Sequence, residues 1–246
     1  MGVGNVEQNN GMVGNGSDLF IGYPMNMYYG YKTDGVFLSD AEVANWYDQS
    51  SIAPGSVAGD IRYVDTTGDG IVNADDRVFL GSSIPKYTFG LNLGAEYAGF
   101  DFSMLIQGVA HVNSYLSGYS GWAFYGEGNI QKWQMEECWN VQTDNRYPGY
   151  PRLEVMSNAG SNNTLTSDFW LLDGSYVKVR SIQLGYTLPQ TVVKKFGASG
   201  LRLYVSMDNP LSFNKFHEGW DPENGNDNGN YYPIMSTYTF GLTLNF

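Results

Sequence analysis

Apolar and polar residues alternate most regularly at the end of the chain, from Ser236 to Phe246. Tyr238, Phe240, Leu242, Leu244 and Phe246 take turns with Thr237, Thr239, Gly241, Thr243 and Asn245. This period of two sets apolar groups on one face of a strand and small polar groups on the other. Tyr87 to Tyr97 repeats it, with Tyr87, Phe89, Leu91, Leu93, Ala95 and Tyr97 on the apolar side. Ala98-Gly99 predicts a tight turn, after which Phe100, Phe102, Met104, Ile106, Gly108 and Ala110 continue the pattern, with Leu105 and Val109 as exceptions. Ser175 to Leu188 changes phase: Val177 and Val179 share one face, and Ile182, Leu184, Tyr186 and Leu188 fall on alternate positions of the opposite parity. One extra residue near Arg180 and Ser181, a β-bulge, accounts for that flip. Leu201 to Phe213 is the fifth strand, with Leu201, Leu203, Val205, Met207, Leu211 and Phe213 apolar.

The remaining segments carry weaker patterns. Met25 to Leu38 has strand-like content with broken alternation, and residues 1–22 and 50–85 read as loop. Short helices are predicted at Asp40 to Gln49, with Ser39 or Asp40 as N-cap, near Asn129 to Trp139, and for one turn at Thr191 to Phe196. The connections between the five strands alternate: short at Ala98-Gly99, long over 114–173, short over 189–200, long over 214–235. Outer-membrane barrels have this asymmetry, whereas a soluble sandwich does not require it. Two all-β readings therefore stand side by side: a barrel wall whose apolar faces meet lipid, and a sandwich whose apolar faces meet each other.

Composition narrows the function. The 246 residues include 13 Lys+Arg and 25 Asp+Glu, a formal net charge of −12, which disfavours nucleic acid as a partner. Cys138 is the only cysteine, so neither a disulfide within the chain nor a cysteine-based zinc site is expected. No run of eighteen apolar residues is present, which leaves strands, not helices, as the route across a membrane. The residues after Met1 offer neither a basic start nor an apolar core, so no export signal is expected there. The 19 tyrosines, 13 phenylalanines and 6 tryptophans suit interfacial girdles or sugar-stacking platforms.

Ordered motifs then carry a family likeness. Asp60-Ile61-Arg62-Tyr63-Val64-Asp65, Gly68-Asp69-Gly70, Asp75-Asp76-Arg77, Phe89-Gly90, Gly99-Phe100-Asp101-Phe102 and Gln107-Gly108-Val109 come first. Tyr150-Pro151-Arg152, Asp173-Gly174-Ser175-Tyr176, Leu184-Gly185-Tyr186-Thr187-Leu188-Pro189, Leu201-Arg202-Leu203-Tyr204-Val205 and Gly219-Trp220-Asp221-Pro222-Glu223 follow. Together they resemble the C-terminal part of SusC/RagA-type TonB-dependent outer-membrane transporters. Pro210 after Asn209 departs from the strand residue usual there. The resemblance implies the C-terminal antiparallel strands of a large outer-membrane β-barrel, a partial barrel with long extracellular loops. Residues 1–86 would be an extracellular loop region with short strands and a calcium-type loop, and 87–246 the barrel strands and their loops. It also implies a SusD-like surface lipoprotein as lid, the TonB system, outer-membrane lipid, and an oligosaccharide or peptide substrate. Plug and TonB-contact segments have no counterpart in these residues, so the chain resembles roughly the last quarter of such a transporter. The alternative is a secreted β-sandwich glycan-binding module with a dockerin-like calcium loop.

Two constellations are candidates for binding. Asp65, Thr67, Asp69, Ile71, Asn73 and Asp76 follow the EF-hand or dockerin spacing, with Gly70 at the sharp turn, and are the expected ligands of Ca2+. Thr67 is a weak neutral ligand and Asp76 reaches less far than the usual Glu, so an ion-free Asp/Gly turn stands beside the calcium reading. Tyr119, Trp122, Tyr125 and Trp220 are expected in loops facing substrate or partner, with loop packing as the plain alternative. His111 and His217 lack spaced metal partners. Glu136 and Glu137, adjacent on a helix, diverge too far to act as a glycosidase pair. No catalytic residues and no enzymatic activity are expected.

Overall fold

The computed structural model describes residues 26–142, 144–156, 161–216, 219–224 and 232–246. The expected loop over 1–22, Met25 at the start of the first weak strand, and His217 lie outside them. The elements in order are β1 (Met27–Gly30), β2 (Thr33–Val36), α1 (Asp40–Asn45), β3 (Ile61–Tyr63), β4 (Val78–Ser82), β5 (Tyr87–Tyr97) and β6 (Phe100–Ala110). Then come β7 (Asn113–Tyr115), α2 (Gly118–Gly121), α3 (Lys132–Glu137), β8 (Leu171–Asp173), β9 (Tyr176–Thr187), α4 (Gln190–Val193), β10 (Gly200–Asn214) and β11 (Thr237–Asn245).

The five long strands form one sheet in the order β11-β10-β9-β6-β5, with every neighbouring pair antiparallel. Ala98 and Gly99 both have positive φ (49° and 88°), the pattern of a two-residue hairpin turn whose twist matches its strands. Register aligns like with like. Ala95, Phe102, Leu184, Val205 and Phe240 are successive cross-strand partners, so one apolar row crosses all five strands. The bulge falls at Arg180, because Ser181 pairs with Leu105 and Asp208 while Val179 pairs with Ile106 and Leu211. Asn209 and Pro210 therefore sit inside that bulge, where Pro210 removes no ladder hydrogen bond.

The apolar rows converge on no sealed interior. Phe89 is 45% exposed, Leu184 50%, Leu203 45% and Leu242 62%, which is the reverse of a sandwich core. The packed core lies in the segments outside the long strands. Tyr31, Ile61, Tyr63, Val72, Tyr115, Trp122, Tyr150, Met156 and Trp170 form it, drawing on residues before β5 and on the connection between β6 and β9. Its rings meet edge to face: Tyr31 with Tyr63 at 5.6 Å, Tyr150 with Trp170 at 5.4 Å and with Trp133 at 5.4 Å. That geometry suits aromatic quadrupoles. Two of the polar ring groups find backbone partners: Tyr63 Oη donates to Asn162 O (2.7 Å) and Trp170 Nε1 to Asn163 O (2.7 Å). Buried Asp60 is held by Arg152 Nε (2.5 Å), Asn163 Nδ2 (2.8 Å) and the Val57 N–H (3.0 Å), which joins three distant segments.

The short elements differ from expectation. The expected strand at Met25 to Leu38 is split into β1 and β2, which pair with β4 and β3 respectively, both within the expected loop over 50–85. Strands of three to five residues are too short to display a period, and their partners lie far along the chain. The first helix stops at Asn45, with Ser39 as N-cap accepting from the Glu42 N–H. Glu42 in turn takes a two-pronged contact from Arg146 (2.6 and 3.2 Å), tying the helix to the long connection. The helix expected near Asn129 to Trp139 is trimmed to α3.

Candidate functional site

The polar face of the five-stranded sheet carries the charges. Asp101, Gly185, Tyr204 and Gly241 are successive partners along one row. Arg202 forks onto Asp101 (Nε to Oδ1 3.0 Å, NH2 to Oδ2 2.5 Å). The pair spans Gly185, where a Cβ would collide with both side chains.

At the far end of β9, Tyr176, Lys178 and Arg180 share this face. Lys178 is 2% exposed, yet its Nζ donates to Asp221 Oδ1 (2.6 Å), Asp221 Oδ2 (2.7 Å) and Glu223 Oε2 (3.0 Å). Arg180 donates to Glu223, to Gln107 Oε1 (3.0 Å) and to Asn209 Oδ1 (3.4 Å). The short segment Gly219–Asn224 is thereby drawn onto the wall. Burial pushes the Glu223 carboxyl upward, but the Arg180 and Lys178 contacts outweigh it and hold the group below its ordinary value. Trp220 Nε1 donates to Gln131 Oε1 (3.0 Å), the oxygen that also accepts from Trp133 Nε1 (2.9 Å). Sequence reasoning missed this arrangement. The one signal was three same-parity residues, Tyr176, Lys178 and Arg180, on a strand of a chain poor in cations.

The expected aromatic cluster is partly assembled. Tyr125 meets Tyr119 at 5.0 Å and Trp122 at 5.4 Å, both edge to face. Gln131 Nε2 donates to the Tyr119 carbonyl (3.0 Å), so Gln131 links this cluster to Trp220. Trp122 itself is buried in the core, and Tyr119 is the well-exposed ring. His111 packs edge to face on Tyr87. Glu136 pairs with Lys132, one helical turn away.

In the Asp65 to Asp76 loop the carboxylates serve the backbone. Asp65 accepts from the N–H of Gly68 (2.6 Å) and Gly70 (2.7 Å), and Asp69 from that of Ile71 (2.9 Å). Asp76, fully buried, accepts from the N–H groups of Thr66 (2.8 Å) and Thr67 (3.0 Å) on one oxygen and Asn73 (2.8 Å) on the other. Thr67 Oγ1 turns to Asp65 and Asp76, and Asn73 caps the Asp75 N–H. Desolvation would raise the Asp76 carboxyl, yet the three backbone donors keep it below its usual value. Among the described residues, no three His, Cys, Asp or Glu side chains are grouped closely enough to hold a metal ion. Both Asp76 oxygens thus accept from the backbone, which fixes the loop's shape through its own carboxylates.

Antiparallel strands in hairpin order, with the apolar face bare and the polar face braced, define the class of fold: part of a large outer-membrane-type β-barrel. No protein-family model matches the chain. In sequence it is similar to TonB-dependent receptor P3 of Formosa agariphila, 28% identical over 239 residues covering 92% of this chain and 22% of that protein. TonB-dependent receptor P26 of the same organism is 27% identical, over 96% of this chain and 24% of its own length. TonB-dependent receptor SusC of Bacteroides thetaiotaomicron is 25% identical, over 75% and 17%. In fold the chain is similar to the RagAB peptide transporter, with a TM-score of 0.67 at 20% identity, covering 93% of this chain and 23% of that one. The RagAB peptide importer in its open-open state gives 0.65 at 20% identity, covering 92% and 23%. The chain thus spans less than a quarter of the length of the curated relatives it matches. Its resemblance to the C-terminal portion of SusC/RagA-type TonB-dependent transporters holds over most of its residues.

Proposed function

We propose that the chain supplies the last strands of an outer-membrane, TonB-dependent importer of oligosaccharides or peptides that works with a SusD-like surface lipoprotein. The observation that carries this reading is the uncovered apolar face, continuous across β5, β6, β9, β10 and β11. Lipid is the solvent that such a face requires. The 11 residues of β5, at about 3.4 Å per step and a tilt of about 45°, rise roughly 24 Å, close to the ~25 Å apolar band of such barrels. Aromatic residues sit near the two ends of the face: Tyr87, Phe213 and Tyr238 at one, Tyr97, Phe100, Tyr186 and Phe246 at the other. Such girdles mark bilayer interfaces.

The long connections then lie outside the cell, where the packed unit meets substrate and the lipoprotein, and the polar face lines the lumen. The family resemblance implies a glycan or a peptide, and the neighbour described as a peptide importer supports the peptide; the exposed Tyr119 supports either by stacking. We assign no catalytic role, in keeping with relatives described as receptors. A secreted sandwich module is disfavoured, because no second sheet among the described residues covers the apolar rows.

The test is expression of the complete gene, followed by outer-membrane fractionation and comparison of gel mobility before and after heating. The expected result is a heat-modifiable outer-membrane protein. A soluble monomer with no such shift would overturn the proposal.

A further inference from the structure

Gly219–Asn224 does more than cross the polar face. Lys178 has almost no contact with solvent, and the segment supplies all three of its carboxylate oxygens within 3.0 Å. Arg180 stands on the bulge of β9, the one place where two successive residues, Arg180 and Ser181, fall on the same side of the sheet. Its guanidinium is braced by Gln107 of β6 and Asn209 of β10, so three strands position it toward Glu223. The Glu223 N–H donates to Asp221 Oδ1 (2.9 Å), which turns both acids toward the same two cations. The other end of the segment is tied to the extracellular unit by Trp220 and Gln131. The same six residues therefore touch both the wall and the loop unit.

We propose that Gly219–Asn224 is a latched strap inside the mouth of the barrel, with Lys178 and Arg180 as the catch and Asp221 and Glu223 as the tongue. Resting on the barrel reading above, this places a closing element on the lumen wall that is independent of any lid protein. Released, the strap uncovers two cations and widens the mouth. Lys178 is the desolvated member of the lock, so loss of both acids leaves its charge stranded in a poorly hydrated site and opens the strap.

Lysine footprinting reads this directly. Cells carrying the complete receptor are treated with a membrane-impermeant acylating reagent, and modification of Lys178 is followed by peptide mass spectrometry. In the parent, Lys178 should react far more slowly than exposed Lys132. Glu223→Gln, which keeps the Asp221 contact, should raise the rate modestly. Asp221→Asn combined with Glu223→Gln should raise it roughly tenfold or more, as a shift of the open population requires. Heat modifiability, measured on the same variants, reports that the barrel has assembled. Unchanged Lys178 reactivity in a heat-modifiable double variant would overturn the latch while leaving the barrel intact. Absence of heat modifiability in the parent would overturn both, and by a separate readout.

Discussion

Tyr204 sets its ring against Gly241, its cross-strand partner, and leaves no room for a Cβ there. The glycine gives up side-chain contacts on β11, and the tyrosine restores them from the neighbouring strand. Gly241→Ala should force the Tyr204 ring to swing off and cost about 1–3 kcal/mol as an overpacking change. Heating the complete receptor in detergent until the folded gel band disappears measures it: Gly241→Ala lowers the transition, and Gly241→Ala with Tyr204→Ala recovers part of the loss. Equal transitions for parent and Gly241→Ala would show that the ring has somewhere else to lie.

Ile182 and Gln183 are adjacent on β9 and point to opposite faces, with Ile182 paired to Met104 and Met207, and Gln183 to Ser103 and Ser206. Arginine near the bilayer midplane costs about 2–4 kcal/mol, whereas lumen positions tolerate charge. Ile182→Arg should therefore reduce the amount of assembled receptor sharply and Gln183→Arg little, as read by folded-band intensity in outer-membrane fractions. Equal tolerance of both would mean that the apolar side does not contact lipid.

Asp76 ties Thr66, Thr67 and Asn73 by accepting from three backbone N–H groups. Asp76→Asn sets an amide donor against one of those donors and should destabilise the loop by about 1–3 kcal/mol. Because the folded carboxyl lies below its ordinary value, its contribution is complete at pH above the usual aspartate range. It fades only as pH falls through the depressed value, so the loop's resistance to protease should hold from neutral pH down to about 4–5 and then drop. Calcium at millimolar concentration should leave that resistance unchanged. A marked rise would show that the loop refolds around the ion and that Asp65, Asp69 and Asp76 ligate it.

Tyr150 Oη accepts from the Ala123 N–H (2.8 Å) and donates to the Gly121 carbonyl (3.0 Å) inside the core, where burial pushes the phenol well above its ordinary value. Tyr150→Phe strands the Ala123 N–H, while the Gly121 carbonyl keeps Gln134 Nε2 (3.0 Å), and should cost about 1–3 kcal/mol. Faster proteolysis within residues 113–173 of the complete receptor, with an unaltered barrel transition, is the expected outcome. A matching loss in the barrel transition would mean that the two parts unfold together.

The five long strands were legible in the sequence because alternation persists through strands of 9 to 15 residues, broken in β9 and β10 only at the bulge. The bulge was legible as well, since Val179 and Ile182 cannot share a face without an extra residue between them. The strands at Ile61–Tyr63 and Val78–Ser82 were not, because three to five residues show no period and their partners are set by packing. Trp122 and Tyr119 looked equivalent as loop aromatics, and only the fold separates a buried ring from an exposed one. The Lys178 catch joins residues 43 and 45 positions apart, a pairing that no local pattern encodes.

The extra residue at Arg180 also restricts how this strand can change length. Deleting it would restore regular pleating and turn Tyr176 to Val179 over as a block, sending the Lys178 ammonium into hydrocarbon while Val177 and Val179 swing into water. Natural variants of this wall are therefore expected to gain or lose residues in β9 by twos, or only beyond its outer end.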